Sequence, residues 1–306
     1  MQYLKPATSI QQQIAQLQSE GLIIHDIAQA AKTLEHIAYY RLRTYWIIFE
    51  SSSNPRKFKP NTNFNDVLNL YLFDEELRTL TLSLIAKIEV SLRANFSNLS
   101  IKFNNPHFYL EHNNFKQFDT YIRSLSKIQN SLKNNKDELF IAHYLSKYTT
   151  PQLPPVWSAA EILTIGELYY WIINLHDGVL DDIAKIYGLS SREVFISGLE
   201  RLSIIRNVCA HHNRLWNRVI VKKQLKQVKQ KNSLNDALSQ DKDSNKTFYG
   251  TFCYIVYILK QINQLSANDA IIKFNNLIST YEINLKSMGF PDNWQEQPLF
   301  NLQESK

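Results

Sequence analysis

Residues 206–218 read Arg206-Asn207-Val208-Cys209-Ala210-His211-His212-Asn213-Arg214-Leu215-Trp216-Asn217-Arg218. Three arginines, three amides and two histidines fall within thirteen residues, a density of phosphate-handling groups found nowhere else in the chain. Immediately upstream, Phe195, Gly198, Leu199, Leu202, Ile205 and Cys209 lie on one stripe. Such spacing predicts a helix that carries the motif on its last turns. Ser190 and Glu193 predict its capping box.

The same periodicity recurs widely. Leu70, Phe73, Leu77, Leu84, Ile88 and Leu92 repeat at three- and four-residue steps and predict a long helix over 64–100, capped by Asn63. Seven glycines and nine prolines against 44% apolar residues favour long helices over a turn-rich β-protein. The fold class expected is all-α, one domain over 1–306. It would have N-terminal helices in 1–62, a bundle in 63–286 and a polar tail in 287–306.

Charged residues at 20% fit a folded chain with a core. A net charge of +6 permits a polyanionic partner without demanding one. Two cysteines, Cys209 and Cys253, rule out a disulfide framework and suit a reducing cytosol. The apolar run around Phe252–Leu259 is far short of the roughly 20 residues of a membrane span. A cytoplasmic protein without a membrane partner is expected.

Ser9 and Gln12 predict a capping box, Gly21 a helix end, and Asp26 the cap of a second helix. Tyr39–Trp46 interleaves aromatics with Arg41 and Arg43. These side chains either stack on bases and contact phosphates, or fill a core while the arginines snorkel. Residues 51–63 read as a loop whose Arg56, Lys57 and Lys59 are solvated. Asp74/Arg78 and Glu89/Arg93 sit at i,i+4 and read as surface pairs worth a few tenths of a kcal/mol. Residues 101–150 yield no clear element. A helix from Trp157 to Ile172 contains Gly166, whose cost of roughly 1 kcal/mol relative to alanine suggests a closely packed backbone there. Residues 232–246 read as a mobile loop, and helices are expected at 247–264 and 267–286.

The Arg206-Asn207-x-x-x-His211 core resembles the signature of the HEPN superfamily, which contains metal-independent ribonucleases. The longer form through Arg218 is similar to the Abi-like abortive-infection family of bacterial phage-defence proteins. Lys5-Pro6, Gly21-Leu22, Tyr39–Leu42, Phe73–Arg78, Glu89–Arg93 and Val156-Trp157 with Glu161 and Gly166 follow that pattern. The resemblance implies a HEPN-like bundle with packed N-terminal helices and a toxin-like endoribonuclease acting as a homodimer. It also implies a small structured regulatory RNA as a possible partner besides the RNA substrate.

The chemistry of the motif fits. RNA carries its own nucleophile, the 2′-hydroxyl, so cleavage needs a proton carrier and a positive charge at the phosphorane. His211 is the proton carrier, Arg206 the phosphate fork, and Asn207 orients the imidazole or holds the phosphate. Residues five apart on a helix diverge by about 140°, so one cleft sees Arg206 and His211 through a long reach, a helix end near Ala210, or two subunits. RNA contacts are assigned to His212, Arg214, Arg218, Lys222, Lys223, Lys226 and Lys229, the lysines being otherwise a solvated face. Glu89 and Arg93 are supporting residues. No cofactor is expected. Cys209, His211 and His212 are cramped and lack a fourth ligand, so no metal is expected either.

Two alternatives stand beside this. One is a HEPN protein that binds RNA without cutting it. The other is a DNA-binding regulator, because residues 182–194 have a helix-turn-helix rhythm with Gly188 at the turn.

Overall fold

The computed structural model describes residues 6–220, 224–226, 232–240 and 243–302. The protein is all-α apart from one two-stranded hairpin. It divides into two compact units, Met1–Leu77 with Asn276–Ile283, and Arg78–Asn275 with Asn284–Lys306.

The first unit begins with helix α1 (Ile10–Ser19), where Ser9 and Gln12 form the reciprocal capping box. Gly21 follows at φ +96°, as a helix stop requires. Helix α2 (Ile27–His36) is capped by the Asp26 carboxylate, which accepts from the Gln29 amide at 2.8 Å. Helix α3 (Tyr39–Trp46) buries Leu42, Tyr45 and Trp46, while Tyr40 and Arg43 stay exposed. The core-filling reading of this stretch holds for Tyr45 and Trp46, with Arg43 left at the surface.

Residues 51–63 are not the open loop expected. Strands β1 (Glu50–Ser53) and β2 (Arg56–Phe58) pair antiparallel. Arg56, read as solvated, is drawn inward. It pairs with Glu20, bonds the Tyr39 hydroxyl, and lies 5.4 Å from the Trp46 ring centroid. Cation–π and ionic partners together explain why a charged side chain tolerates this burial.

Helix α4 (Phe64–Lys102) runs for 39 residues from the Asn63 cap, whose side chain accepts from the Asp66 amide. The Asp74/Arg78 pair is not superficial: both residues are buried, and the Tyr45 hydroxyl donates to Asp74 at 2.6 Å. Residues 101–150, where sequence gave no element, contain helices α5 (Phe118–Asn134) and α6 (Leu139–Lys147). The single helix expected after Trp157 is two. Helix α7 (Val156–Glu161) stops, and helix α8 (Ile165–Ile173) restarts on a Thr164–Glu167 capping box.

Helices α9 (Asp177–Ile186) and α10 (Arg192–Ala210) follow, with Gly188 between them at φ +66°. The predicted Ser190–Glu193 capping box does not form, because the helix starts one residue later and its N-cap makes no side-chain bond to the first-turn amides. Ser191 is the N-cap, and its hydroxyl bonds the Glu193 carboxylate at 2.5 Å. Of the stretch 232–246 read as a mobile loop, residues 241–242 lie outside the described residues and the rest is not open chain. Helix α11 (Ser233–Leu238) buries Leu234, Ala237 and Leu238 on an Asn232 cap.

Helix α12 (Phe248–Ile262) is buried at every residue from Phe248 to Leu259. Helix α13 (Gln264–Tyr281) supplies Phe274, whose ring lies 4.3 Å from that of Phe252. The tail read as polar closes the same cluster: Trp294, Leu299 and Phe300 are buried, and Phe300 stacks on Phe252. Among the described residues no helix is long and apolar enough to cross a membrane.

Close backbone approach occurs, but not at Gly166. A Cβ there would meet the Ser203 hydroxyl at an ordinary 3.5 Å. A Cβ on Gly198 would instead lie 1.9 Å from the Tyr254 ring. The two sites therefore respond oppositely to one methyl group. Gly198→Ala should destabilise by about 1–3 kcal/mol, the usual cost of overpacking. Gly166→Ala should stabilise by up to about 1 kcal/mol through helix propensity. Urea midpoints of the two variants check this, and equal midpoints would contradict the packing described.

Candidate functional site

The motif sits where α10 stops. His211 is the C-cap residue, and the His212 and Asn213 amides bond back to the carbonyls of Cys209 and Val208 at 3.0 and 2.9 Å. This is a Schellman motif, whose turning residue is usually glycine. Here it is His212, at φ +54°. His212, assigned above to RNA contact, thus also closes the helix. Leu215 and Trp216 then plunge into the core at 0% and 2% exposure, fixing the chain beyond the turn.

This exit sorts the motif into two classes. Val208, Cys209, Leu215 and Trp216 are buried, whereas Asn207, His211, His212, Asn213 and Arg218 are exposed and Arg206 and Arg214 half-buried. Arg206 Nη1 reaches the neighbouring Asn207 Oδ1 at 3.4 Å. Among the described residues no carboxylate pairs with Arg206. Arg218 donates to the Arg214 carbonyl at 3.1 Å. The helix ends at Ala210, yet His211 keeps a near-helical φ of −90° and ψ of 13°. The divergence of about 140° between Arg206 and His211 therefore persists.

Of the lysines assigned to RNA, Lys222, Lys223 and Lys229 lie outside the described residues. Lys226 is exposed; its amide donates to Ser197 at 2.9 Å, and its charge helps hold Glu193 below the usual carboxylate range, after the bond from Ser191. Leu225 is buried beside it.

Glu89 and Arg93 pair as the i,i+4 spacing required, with side chains only 16% and 13% exposed. The arginine does more than neutralise the glutamate. Its guanidinium also reaches the Ala160, Glu161 and Leu163 carbonyls, the latter two at 2.8 and 2.6 Å. These carbonyls lie where α7 ends and the chain turns into α8, a place where helix-terminal carbonyls seek partners outside the helix. The pair is a clamp on the α7–α8 junction rather than a weak surface bridge.

Sequence reasoning passed over two groups on α10. Arg201 is fully buried, bonds the Asn245 carbonyl at 2.5 Å, and is pulled down to about 10 by desolvation. It ties residues 244–246 to the helix. Glu200 bonds Tyr169 on α8, and burial, reinforced by that carboxylate, drives the Tyr169 phenol well above its ordinary value. Neither had a local signal, since each partner is more than 30 residues away.

The helix-turn-helix reading fails on burial. From Ser191 to Arg206 only Glu193 is exposed, and it is acidic. Arg192, which would open a recognition helix, is held by Asp181 and Asp177 at 3.2 Å each. A helix entering a DNA groove needs an exposed polar or basic face, and this one has its face in the core. Among the described residues no three His, Cys, Asp or Glu side chains are grouped to hold a metal ion.

A family model described as Abi-like protein matches residues 32–217, more than half of the chain. No curated protein and no solved structure matches. The chain belongs to the Abi-like family, and so stands with the proteins of abortive infection and phage defence.

The cap geometry yields a test. Left-handed backbone costs an L-residue roughly 1–2 kcal/mol, and a β-branched one most. His212→Gly should therefore be more stable than His212→Val by about 2 kcal/mol. Urea denaturation of the two variants measures the gap; parity between them would mean that residue 212 does not adopt this conformation in solution.

Proposed function

We propose that this Abi-like protein is a metal-independent endoribonuclease with toxin-like action, built as a HEPN-type bundle around Arg206, Asn207 and His211. The observation that carries the reading is the state of Arg206. Arg56, Arg93 and Arg192 each have a carboxylate partner, whereas Arg206 has none among the described residues and stands half-exposed one turn before an exposed imidazole. A surface guanidinium whose contact is the neighbouring Asn207 amide oxygen, with no carboxylate to neutralise it, is the arrangement phosphate binding calls for.

In the reaction His211 takes the proton of the RNA 2′-hydroxyl. The 2′-oxygen attacks the adjacent phosphorus, the bond to the 5′-oxygen breaks, and that oxygen takes a proton from solvent water while the His211 imidazolium returns its own to solvent. Arg206 stabilises the charge on the phosphorane, and Asn207 holds a non-bridging oxygen or the imidazole. Because Arg206 and His211 diverge, the site is completed by two chains, Arg206 from one and His211 from the other, across the two-fold axis that most dimers use. His212, Arg214, Arg218 and Lys226 line the approach of the strand, and a structured regulatory RNA would use the same basic surface.

The pairings Tyr169 to Glu200 and Gly166 to Ser203 show α8 and α10 running in opposite senses. One further turn of that progression brings the segment clamped by Glu89 and Arg93 level with Arg206. The supporting role of Glu89 and Arg93 is thus to hold backbone, not to touch RNA.

His211→Ala and Arg206→Ala should each lower cleavage by roughly 10²–10⁴ while the far-ultraviolet spectrum stays helical. Mixing the two dead variants should restore about a quarter of wild-type activity, since half of the dimers then carry one intact site. No restoration in a mixture shown to exchange subunits would place both residues in one chain's site. Cleavage should persist in EDTA and leave a 2′,3′-cyclic phosphate and a 5′-hydroxyl. Full activity in a folded His211→Ala protein, or equal cutting of RNA with a 2′-deoxy nucleotide at the scissile position, would overturn the mechanism.

A further inference from the structure

Between α5 and α8 lies a cleft of about 420 Å³. Arg123 and Lys127, one turn apart on α5, form one wall; Gly166, Glu167 and Tyr170 of α8 form the other. Both cations are exposed, and among the described residues neither has a carboxylate partner. Arg123 spends only its Nε, on the Asp119 carbonyl at 3.2 Å. Glu167 does not neutralise them, because its carboxylate is turned to the Thr164 amide and hydroxyl at 2.8 and 3.0 Å. Tyr170 lines the cleft, is 55% exposed, and meets the Tyr169 ring in a T-shaped pair with centroids 5.2 Å apart.

Ser124, only 5% exposed, lies on the floor of the cleft and turns a small polar group toward it. The cleft also adjoins the motif helix: Gly166 faces Ser203, one turn before Arg206.

We propose that this cleft is a subsite for one nucleotide of single-stranded RNA, a position to which the strand runs from Arg206 and His211 across the start of α8. The base stacks on Tyr170, Arg123 and Lys127 hold the phosphate, and Ser124 bonds a sugar hydroxyl. Aromatic platforms beside unpaired cations are how single strands are held without sequence preference. The assignment rests on the ribonuclease reading for its direction along the strand, but binding and cutting are measured separately.

The test is fluorescence anisotropy of the full-length His211→Ala protein with a labelled single-stranded hexaribonucleotide, in a salt titration. Adding Tyr170→Ala should weaken binding roughly 5- to 150-fold, as loss of one stacked base does. Arg123→Gln and Lys127→Gln should each flatten the salt slope by about 0.7. Unchanged affinity and slope in all three variants would overturn the subsite, even if the wild type still cuts RNA. Weakened binding with a wild-type protein that cuts no RNA would keep the subsite and remove the nuclease reading. Equal affinity for 5′-AMP and for the hexamer would make the ligand a free nucleotide and overturn the strand assignment.

Discussion

The second unit depends on how closely α10 and α12 approach. Helix α12 presents twelve successive buried residues, so every face of it must meet protein. Gly198 makes this possible on the α10 side, where the Tyr254 ring occupies the space a side chain would need. Gly250 does the same against the Ser244 carbonyl, 2.2 Å from where its Cβ would stand. A helix buried all round has no solvent face to relieve a misfit, which is why single methyl groups matter here. With α12 in place, α10 must turn its apolar stripe inward, and the motif at its end is presented where the burial stops.

The charges divide along the same line. Arg56, Arg93, Arg192 and Arg201 are committed to carboxylates or carbonyls, and each joins elements that are otherwise separate. A guanidinium in that position is a rigid multidentate connector. Arg206, Arg123 and Lys127 have no carboxylate partner among the described residues, and Arg123 spends only its Nε, on the Asp119 carbonyl. Both kinds of cation occur on α10, where Arg192 and Arg201 are held by partners and Arg206 is not paired with a carboxylate.

The Schellman turn at His211–Asn213 links architecture to chemistry. It satisfies the last carbonyls of α10, exposes His211, and directs Leu215 and Trp216 into the core within a few residues. A longer helix would have carried His211 further from the backbone turn, and a looser end would have left the imidazole without a fixed position. For the proton-carrier role proposed for His211, a fixed position of this kind would limit the orientations the imidazole must search.

Interactions between near neighbours were legible from the sequence. The caps at Ser9, Asp26 and Asn63, the long helix from Phe64, and the Glu89/Arg93 pair all arise within four residues of chain. The all-α class and the motif at the end of its helix followed from the same local periodicity. Distance along the chain hid the rest. Arg56 meets Glu20 across 36 residues, and Arg93 meets its carbonyls across 67 to 70. The hairpin, α5, α6, α11 and the tail are short or polar segments that gain their order from partners elsewhere. Sequence alone therefore determined the all-α class, the long periodic helices and the family motif. Only the tertiary structure decided which residues were buried, as the α9–α10 pair shows. Its rhythm suited a DNA reader until packing turned its face into the core, because burial is set by what lies opposite a helix and not by the helix itself.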